Sequence, residues 1–395
     1  MDLPGRLARF AVVALVLAAS TAAAEPYLAL REGYLCSQCH VNRTGGGKRN
    51  SFGVGFAQTV MPLWKVGPWD EGSPSSRGAL GWFTDPRLGD HVSLGAELRF
   101  QNVTTFAATG SYLGQKLSAP EANNFAIPEG QLYVEMSLVK NYLLLYLDET
   151  VAPEGASARE AFVMAQYPAL GLYLKAGRFL LPYGLRLPDD NIFVRQVTGF
   201  NYANQDLGVE AGIEPGPAFF HIAVTNGNGG GADNNVKKQI TGTAGVAIKH
   251  GRIGLCYSWD DSSTDQSGST RRVAGGYVGT GWGRFSALAE ADAIRDWTGP
   301  PDGKTTPTAT ANWQWAFYGE IDLLAYKGIN LKAAYDFNDP DIDLANNGRE
   351  RFTLGFDAMV LPFLGISAYY YLRRDIPQKV LGNQDMLVLQ IHAYL

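Results

Sequence analysis

Five residues near the start of the chain, Cys36-Ser37-Gln38-Cys39-His40, have the types and spacing to do chemistry. Two thiols three positions apart can add to the vinyl groups of a porphyrin while the adjacent imidazole takes an axial position on iron. The run therefore predicts covalent attachment of one haem c, with His40 as the proximal iron ligand. A structural zinc site would need four ligands, yet the next histidine is His91 and the only other cysteine is Cys256. A disulfide or a redox-active pair would have no use for His40.

The elements that position this motif are short. Residues 25–66 carry apolar side chains such as Tyr27, Leu30, Phe52, Phe56 and Trp64, enough to line a haem but few for a free-standing core. A segment near ~40 residues folds only with a metal, crosslinks or a partner surface. The turn Gly45-Gly46-Gly47-Lys48-Arg49 presents two cations. Lys48 and Arg49 are candidate partners for the anionic propionates, although a solvated basic turn reads equally well. Met61 is the first methionine after the motif and a candidate distal ligand, its alternative being an apolar gap-filler.

Composition bounds the rest. The 395 residues include 46 glycines and 12% aromatics but only three cysteines, and the formal charge of −5 gives no case for nucleic acid. One apolar run exists, Phe10 to Ala19, preceded by Arg6 and Arg9 and followed by Ala22-Ala23-Ala24. It is too short for a membrane helix and reads as an export signal over residues 1–24. Residues 67–90, rich in Gly, Pro, Ser and Asp, read as a linker.

From His91 the apolar period becomes two. Val92, Leu94, Ala96, Leu98 and Phe100 share one face, with Ser93, Glu97, Arg99 and Gln101 on the other. Segments of this kind recur to the last residue and predict sixteen strands over 91–395. Short connections such as Lys140-Asn141, Pro215-Gly216, His250-Gly251 and Lys327-Gly328 follow the even strands, and longer polar loops mostly follow the odd ones. That alternation predicts an all-β, sixteen-stranded antiparallel outer-membrane barrel with both termini periplasmic and its apolar face on lipid. A channel of this size is open unless filled. The loop Pro182 to Gln205, with Arg186, Asp189, Asp190 and Arg195, is the expected constriction, and the haem segment the expected plug. His91 opens the first strand and His392 nearly ends the last, so each is a further candidate distal iron ligand or a lumen hydrogen-bonding group. His221 and Cys256 also take inward positions.

The run Gly177-Arg178-Phe179-Leu180-Leu181-Pro182-Tyr183-Gly184 is similar to the strand-and-loop signature of phosphate-selective porins. The whole layout, signal, one C-x-x-C-H, linker and porin-sized barrel, resembles the fused cytochrome-porins of the outer membrane, the iron-oxidising type included. The resemblance implies electron transfer between an extracellular redox partner, Fe(II) for the oxidase-like type, and periplasmic cytochromes or other carriers. Cys36, Cys39 and His40 map onto that family's haem motif. The competing reading is a diffusion porin whose haem segment is a gate, sensor or plug. No motif for haem-based peroxidase chemistry is visible.

Overall fold

The structure, a computed structural model, describes residues 26–64, 87–153, 155–233, 236–261, 269–298 and 310–395. The predicted signal at 1–24 and residues 67–86 of the linker predicted over 67–90 lie outside the described residues. Among the described residues there are four short α-helices: α1 (Pro26–Glu32), α2 (Cys36–Cys39), α3 (Ser51–Thr59) and α4 (Phe193–Thr198). The strands are β1 (Arg87–Leu88), β2 (Val92–Thr105), β3 (Ala108–Tyr112), β4 (Gln115–Ala119), β5 (Ala122–Val139), β6 (Leu143–Ala152), β7 (Ser157–Tyr167), β8 (Leu172–Leu180), β9 (Gln205–Ile213) and β10 (Ala218–Thr225), continuing as β11 (Gln239–Ile248), β12 (Gly251–Asp260), β13 (Ser269–Trp282), β14 (Phe285–Thr298), β15 (Thr310–Tyr326), β16 (Ile329–Asp339), β17 (Arg349–Leu361), β18 (Leu364–Arg374) and β19 (Met386–Tyr394).

Alternation drives the architecture. Along β10, Phe219, His221 and Ala223 are buried while Phe220, Ile222 and Val224 are exposed. Along β12, Arg252 and Cys256 point in, and Leu255 points out with 70% of its surface exposed. Asp148, Glu160, Lys175, Glu210 and Asp336 are wholly buried inside. Apolar outside and charged inside reverses the packing of a water-soluble protein and suits a wall bathed in lipid. No described helix is long and apolar enough to cross a membrane.

Among the described residues seventeen strands form one sheet. The two-residue β1 only extends the edge of β2, and the remaining sixteen close a ring because β19 pairs with β2 from Met386↔Thr105 to Tyr394↔Glu97. Closure leaves no unpaired edge for lipid to solvate. β3 and β4 make a separate hairpin in the first long loop. The sequence pattern starts the second barrel strand at 128, at a proline that cannot donate to a ladder. The strand instead begins at Ala122, and a register shift between Arg99 and Gln101 bulges the chain past Pro128.

Residues 26–64 lie inside the ring at its short-turn end. Leu30 packs over Gly279 and Arg31 over Gly281, where any Cβ would collide with the helix. Arg31 donates to Asn330 Oδ1 at 2.8 Å. At the far end of the segment Leu63 N–H donates to Met359 O at 2.7 Å and Trp64 N–H to Val360 O at 3.1 Å. Three apolar clusters tie the segment to the wall. Tyr27 and Leu30 join Tyr277 and Ile294, Val41 joins Tyr146 and Phe162, and Ala57 and Met61 join Met359 and Tyr394. Each fully buried side chain of this size is worth roughly 1.5–3 kcal/mol, which is how a segment without its own core is held.

The loop between β8 and β9 also turns inward. Tyr183 donates to Asp292 at 2.6 Å, Leu185 N–H to Glu290 at 2.7 Å, and Arg195 binds Glu290 in a buried pair. Plug and loop together occupy the lumen that the wall alone would leave open.

Candidate haem site

One turn of helix builds the motif. Cys36 and Cys39, three apart in α2, share a face, and the Gln38 side chain accepts the Leu35 N–H at 2.7 Å to start the turn. The chain leaves the helix extended, His40 bridges antiparallel to Arg49, and Val41 N–H donates to Lys48 O at 3.0 Å. The loop between them closes only because Gly45, Gly46 and Gly47 adopt φ of +92, +83 and +61°, which side chains other than hydrogen rarely tolerate. A Cβ on Gly45 would also stand 3.2 Å from Cys36 Cβ and 3.3 Å from its Sγ. On the other side α3 lies so close that a Cβ on Gly53 would overlap the Cys39 carbonyl.

His40 is buried, and its Nδ1 has no hydrogen-bond partner among the described residues. Burial and the Arg49 guanidinium push the imidazole down to about 4, so it is neutral, the ligating form, at ordinary pH. Burial and the neighbouring Cys36 push the Cys39 thiol up to about 11. Cys36, Cys39, His40 and Met61 line one cavity, together with apolar residues such as Tyr34, Leu35, Phe56, Leu185, Phe219 and Tyr277 and with charged ones, Arg43, Arg186, Glu214 and Arg252 among them. Two thiols on one helical face, a neutral imidazole, a thioether and a mixed surround of apolar side chains and arginines form a donor set that suits a covalently attached porphyrin with its anionic propionates.

The other sequence candidates separate in space. Arg49 lines this cavity and lies 4.8 Å over the Tyr394 ring, whereas Lys48 is buried with its ammonium 3.2 Å from Glu135 and faces a smaller neighbouring cavity. His91 sits in the exposed turn before β2, its Nδ1 2.8 Å from Ser137 O. His392 is buried against Glu97 at 3.3 Å. Neither of these two histidines lines the cavity that holds His40.

Several residues at the site carry no motif. His221 lines the cavity with its Nε2 3.2 Å from Glu214. Glu214 also accepts from Ser37 at 2.6 Å and Arg43 at 2.8 Å. Burial pushes its carboxyl up, but bonds from His221 and Ser37 and the Arg43 charge hold it below the ordinary range. Asn42, wholly buried, donates to Glu160 at 2.7 Å and accepts from Lys175 at 3.0 Å. Their only signal in sequence was an inward position on a strand or adjacency to the motif.

Toward the long loops stands a vestibule, a cavity of about 820 Å³. Tyr202 lines it and also packs over Gly46, so this ring stands between vestibule and motif. Asp190 accepts the Tyr202 N–H at 2.9 Å. Burial, opposed by that N–H and reinforced by Asp189, pushes the Asp190 carboxyl up to about 6. A carboxyl raised from 3.8 destabilises the docked loop above about pH 6 and ceases to as pH falls through 6 toward 4. Acidification from pH 7.5 to 5 is therefore expected to lower ion conductance in planar bilayers, and Asp190→Asn to remove that dependence.

No protein-family profile matches this sequence, and no curated relative does. Solved structures match in fold. An anion-selective porin from Comamonas acidovorans superposes with a TM-score of 0.57 at 9% identity, over 77% of this chain and 99% of that one. OprB of Pseudomonas putida gives 0.53 at 11% identity, over 85% and 99%. The outer membrane channel DcaP of Acinetobacter baumannii gives 0.53 at 10%, over 77% and 97%. In fold, then, this chain is a closed, sixteen-stranded antiparallel β-barrel like those of the outer-membrane porins.

Proposed function

We propose that this chain lies in a bacterial outer membrane, holds one covalent haem inside its barrel, and passes electrons between an extracellular partner and periplasmic carriers. The observation that supports this reading is the depth of the motif within the wall. Its loop reaches Glu160 through Asn42, and Glu160 lies seven residues above the short-turn end of β7. A cofactor held wholly in the periplasm would face a hydrocarbon layer of ~30 Å. When bound, haem supplies a one-electron iron couple.

The protein's part is to place and insulate that couple. Cys36 and Cys39 would tether it, His40 would offer a neutral imidazole, Arg49 lines the cavity as a cation for propionate, and Leu35, Phe56, Leu185 and Phe219 supply apolar wall. Met61 and His221 line the same cavity, and either could supply a second protein ligand to iron. A thioether raises the potential. Met61→Ala is therefore expected to lower the midpoint by an amount of order 0.1 V, within the ~0.8 V that axial ligands span, and His221→Ala to leave it in place. The reverse outcome assigns the ligand to His221.

The reading is tested on intact cells. Protease outside the cell should leave the haem spectrum unchanged, while a membrane-impermeant oxidant or reductant should change it; a spectrum indifferent to both impermeant reagents defeats the proposal. The porin fold of the neighbours and the wide vestibule favour a second reading, a diffusion porin with the haem segment as plug. Solute flux in liposomes at open-porin rates, indifferent to haem oxidation state, would establish that one instead.

A further inference from the structure

We infer that the outer wall of β12–β15, at its long-loop end, is a binding site for a phosphate-bearing lipid of the surrounding leaflet. Register lines up outward side chains across these neighbouring strands. Trp259 of β12 stands opposite Arg272 of β13, Arg272 opposite Arg295 of β14, and Arg295 opposite Trp313 of β15. Each guanidinium lies over the tryptophan beside it, Arg272 at 4.5 Å from the Trp259 ring and Arg295 at 5.5 Å from the Trp313 ring. Like charges placed directly opposite each other weaken a sheet, so this pairing does nothing for the fold. Arg295 lies ten residues along β14 from Phe285, the first residue of the strand. At about 3.3 Å per residue and a tilt of ~40°, that is roughly 25 Å of height, the full apolar band of such a barrel. The row therefore stands level with lipid headgroups.

The acids nearby leave a positive balance. Asp261 takes Arg272 at 2.7 Å and the Trp259 indole N–H at 2.8 Å. Asp296, next to Arg295 in sequence, turns inward to Arg271 at 2.6 Å. Asp339, opposite Trp315 and two strands from Arg295, accepts the Asp341 N–H at 3.1 Å. Arg295 is exposed, and among the described residues its guanidinium meets the Trp313 ring with no ion pair or hydrogen bond. Below the row the wall is shaped for a chain. The outward positions of β14 beneath Arg295 are Ala293, Ala291, Ala289 and Ala287. Ala291 stands between Gly276 on β13 and Phe317 on β15. Exposed Leu255 and Tyr257 flank this floor on one side, and Trp315, Phe317 and Ile321 on the other. Planar guanidinium forks match phosphate oxygens, and the trough beneath them suits an acyl chain. A lipid satisfies both halves, whereas a second copy presenting this face would set its own arginine pair against these.

The site rests on the outer-membrane placement of the wall and is independent of haem. The test is native mass spectrometry of the purified, detergent-solubilised full chain titrated with lipid A, against dephosphorylated lipid A and inorganic phosphate. The wild type should hold the phosphorylated lipid roughly tenfold or more tightly than the dephosphorylated one, and R272Q/R295Q should lose that difference. A291F, which raises the floor of the trough from the lipid side, should weaken both lipids. The shifted mobility of the unboiled protein on gels reports that each variant has folded, and flotation of the wild type with liposomes tests the membrane placement separately. Equal retention by folded R272Q/R295Q, or no preference for the phosphorylated form, overturns the inference. Displacement of lipid A by inorganic phosphate overturns it in favour of a free-anion site. An oligomer that dissociates in either variant while lipid retention is unchanged overturns it in favour of an interface between copies. Unchanged binding by A291F overturns the acyl half of the inference.

Discussion

Replacing Cys36 and Cys39 together by serine is expected to abolish covalent pigment, seen as complete loss of the haem-stained band on a denaturing gel. A hydroxyl differs little in size from a thiol, so α2 and its Gln38 cap should persist. Only the nucleophile for thioether formation is gone. The barrel should still fold, because its sixteen strands close through backbone pairing that does not involve the segment. His40→Ala separates tether from ligand. There the stained band should remain while the low-spin spectrum is lost, since the sulfurs are intact and the imidazole is not. A stained band of wild-type strength in the Cys36→Ser, Cys39→Ser double variant would exclude haem attachment at this motif and with it the proposed function.

The second large effect concerns the inward loop. Arg195 is 1% exposed, bonds Glu290, and donates to Phe200 O at 3.0 Å. Removing one member of a buried ion pair costs about 3–5 kcal/mol, because the other is left charged and unpaired. Arg195→Ala should therefore detach residues 181–204 from β14. Single-channel conductance in planar bilayers is expected to rise several-fold as the lumen loses its second occupant. Restoring an uncharged pair, Arg195→Met with Glu290→Gln, should bring conductance back toward wild type, since no buried charge is then left unpaired and the amide oxygen still accepts the Leu185 N–H. Unchanged conductance in Arg195→Ala would mean that the loop is held by its apolar contacts, Leu185, Leu187 and Ile192 among them.

The wall was legible in sequence because a strand exposed to lipid on one face and to a polar lumen on the other must alternate, and alternation survives without knowledge of any partner. Boundaries failed where alternation did, as at Pro128 and the bulge beside it. The motif was legible for a different reason. The covalent attachment proposed here needs the spacing of Cys36, Cys39 and His40 whatever surrounds them, so the expectation could be formed from sequence alone.

Position around the ring was not legible. His91 and His392 were expected at the mouth beside the haem because they open and nearly close the barrel, but one sits in an exposed turn and the other is turned to Glu97. His221, on the seventh strand of the ring, reaches the cavity instead. Lys48 and Arg49 are adjacent in sequence and take opposite sides of their extended strand, one to Glu135 and one to the cavity.

The sequence by itself determined strand number, closure and the inward or outward side of the strand residues, because these depend on periods and spacings within one stretch of chain. Only the tertiary structure decided which inward side chains meet the segment and how deep the motif lies. Those outcomes depend on shear and on the path of residues 26–64 through the lumen, which bring together groups such as Asn42, Glu160 and Lys175 that no local pattern connects.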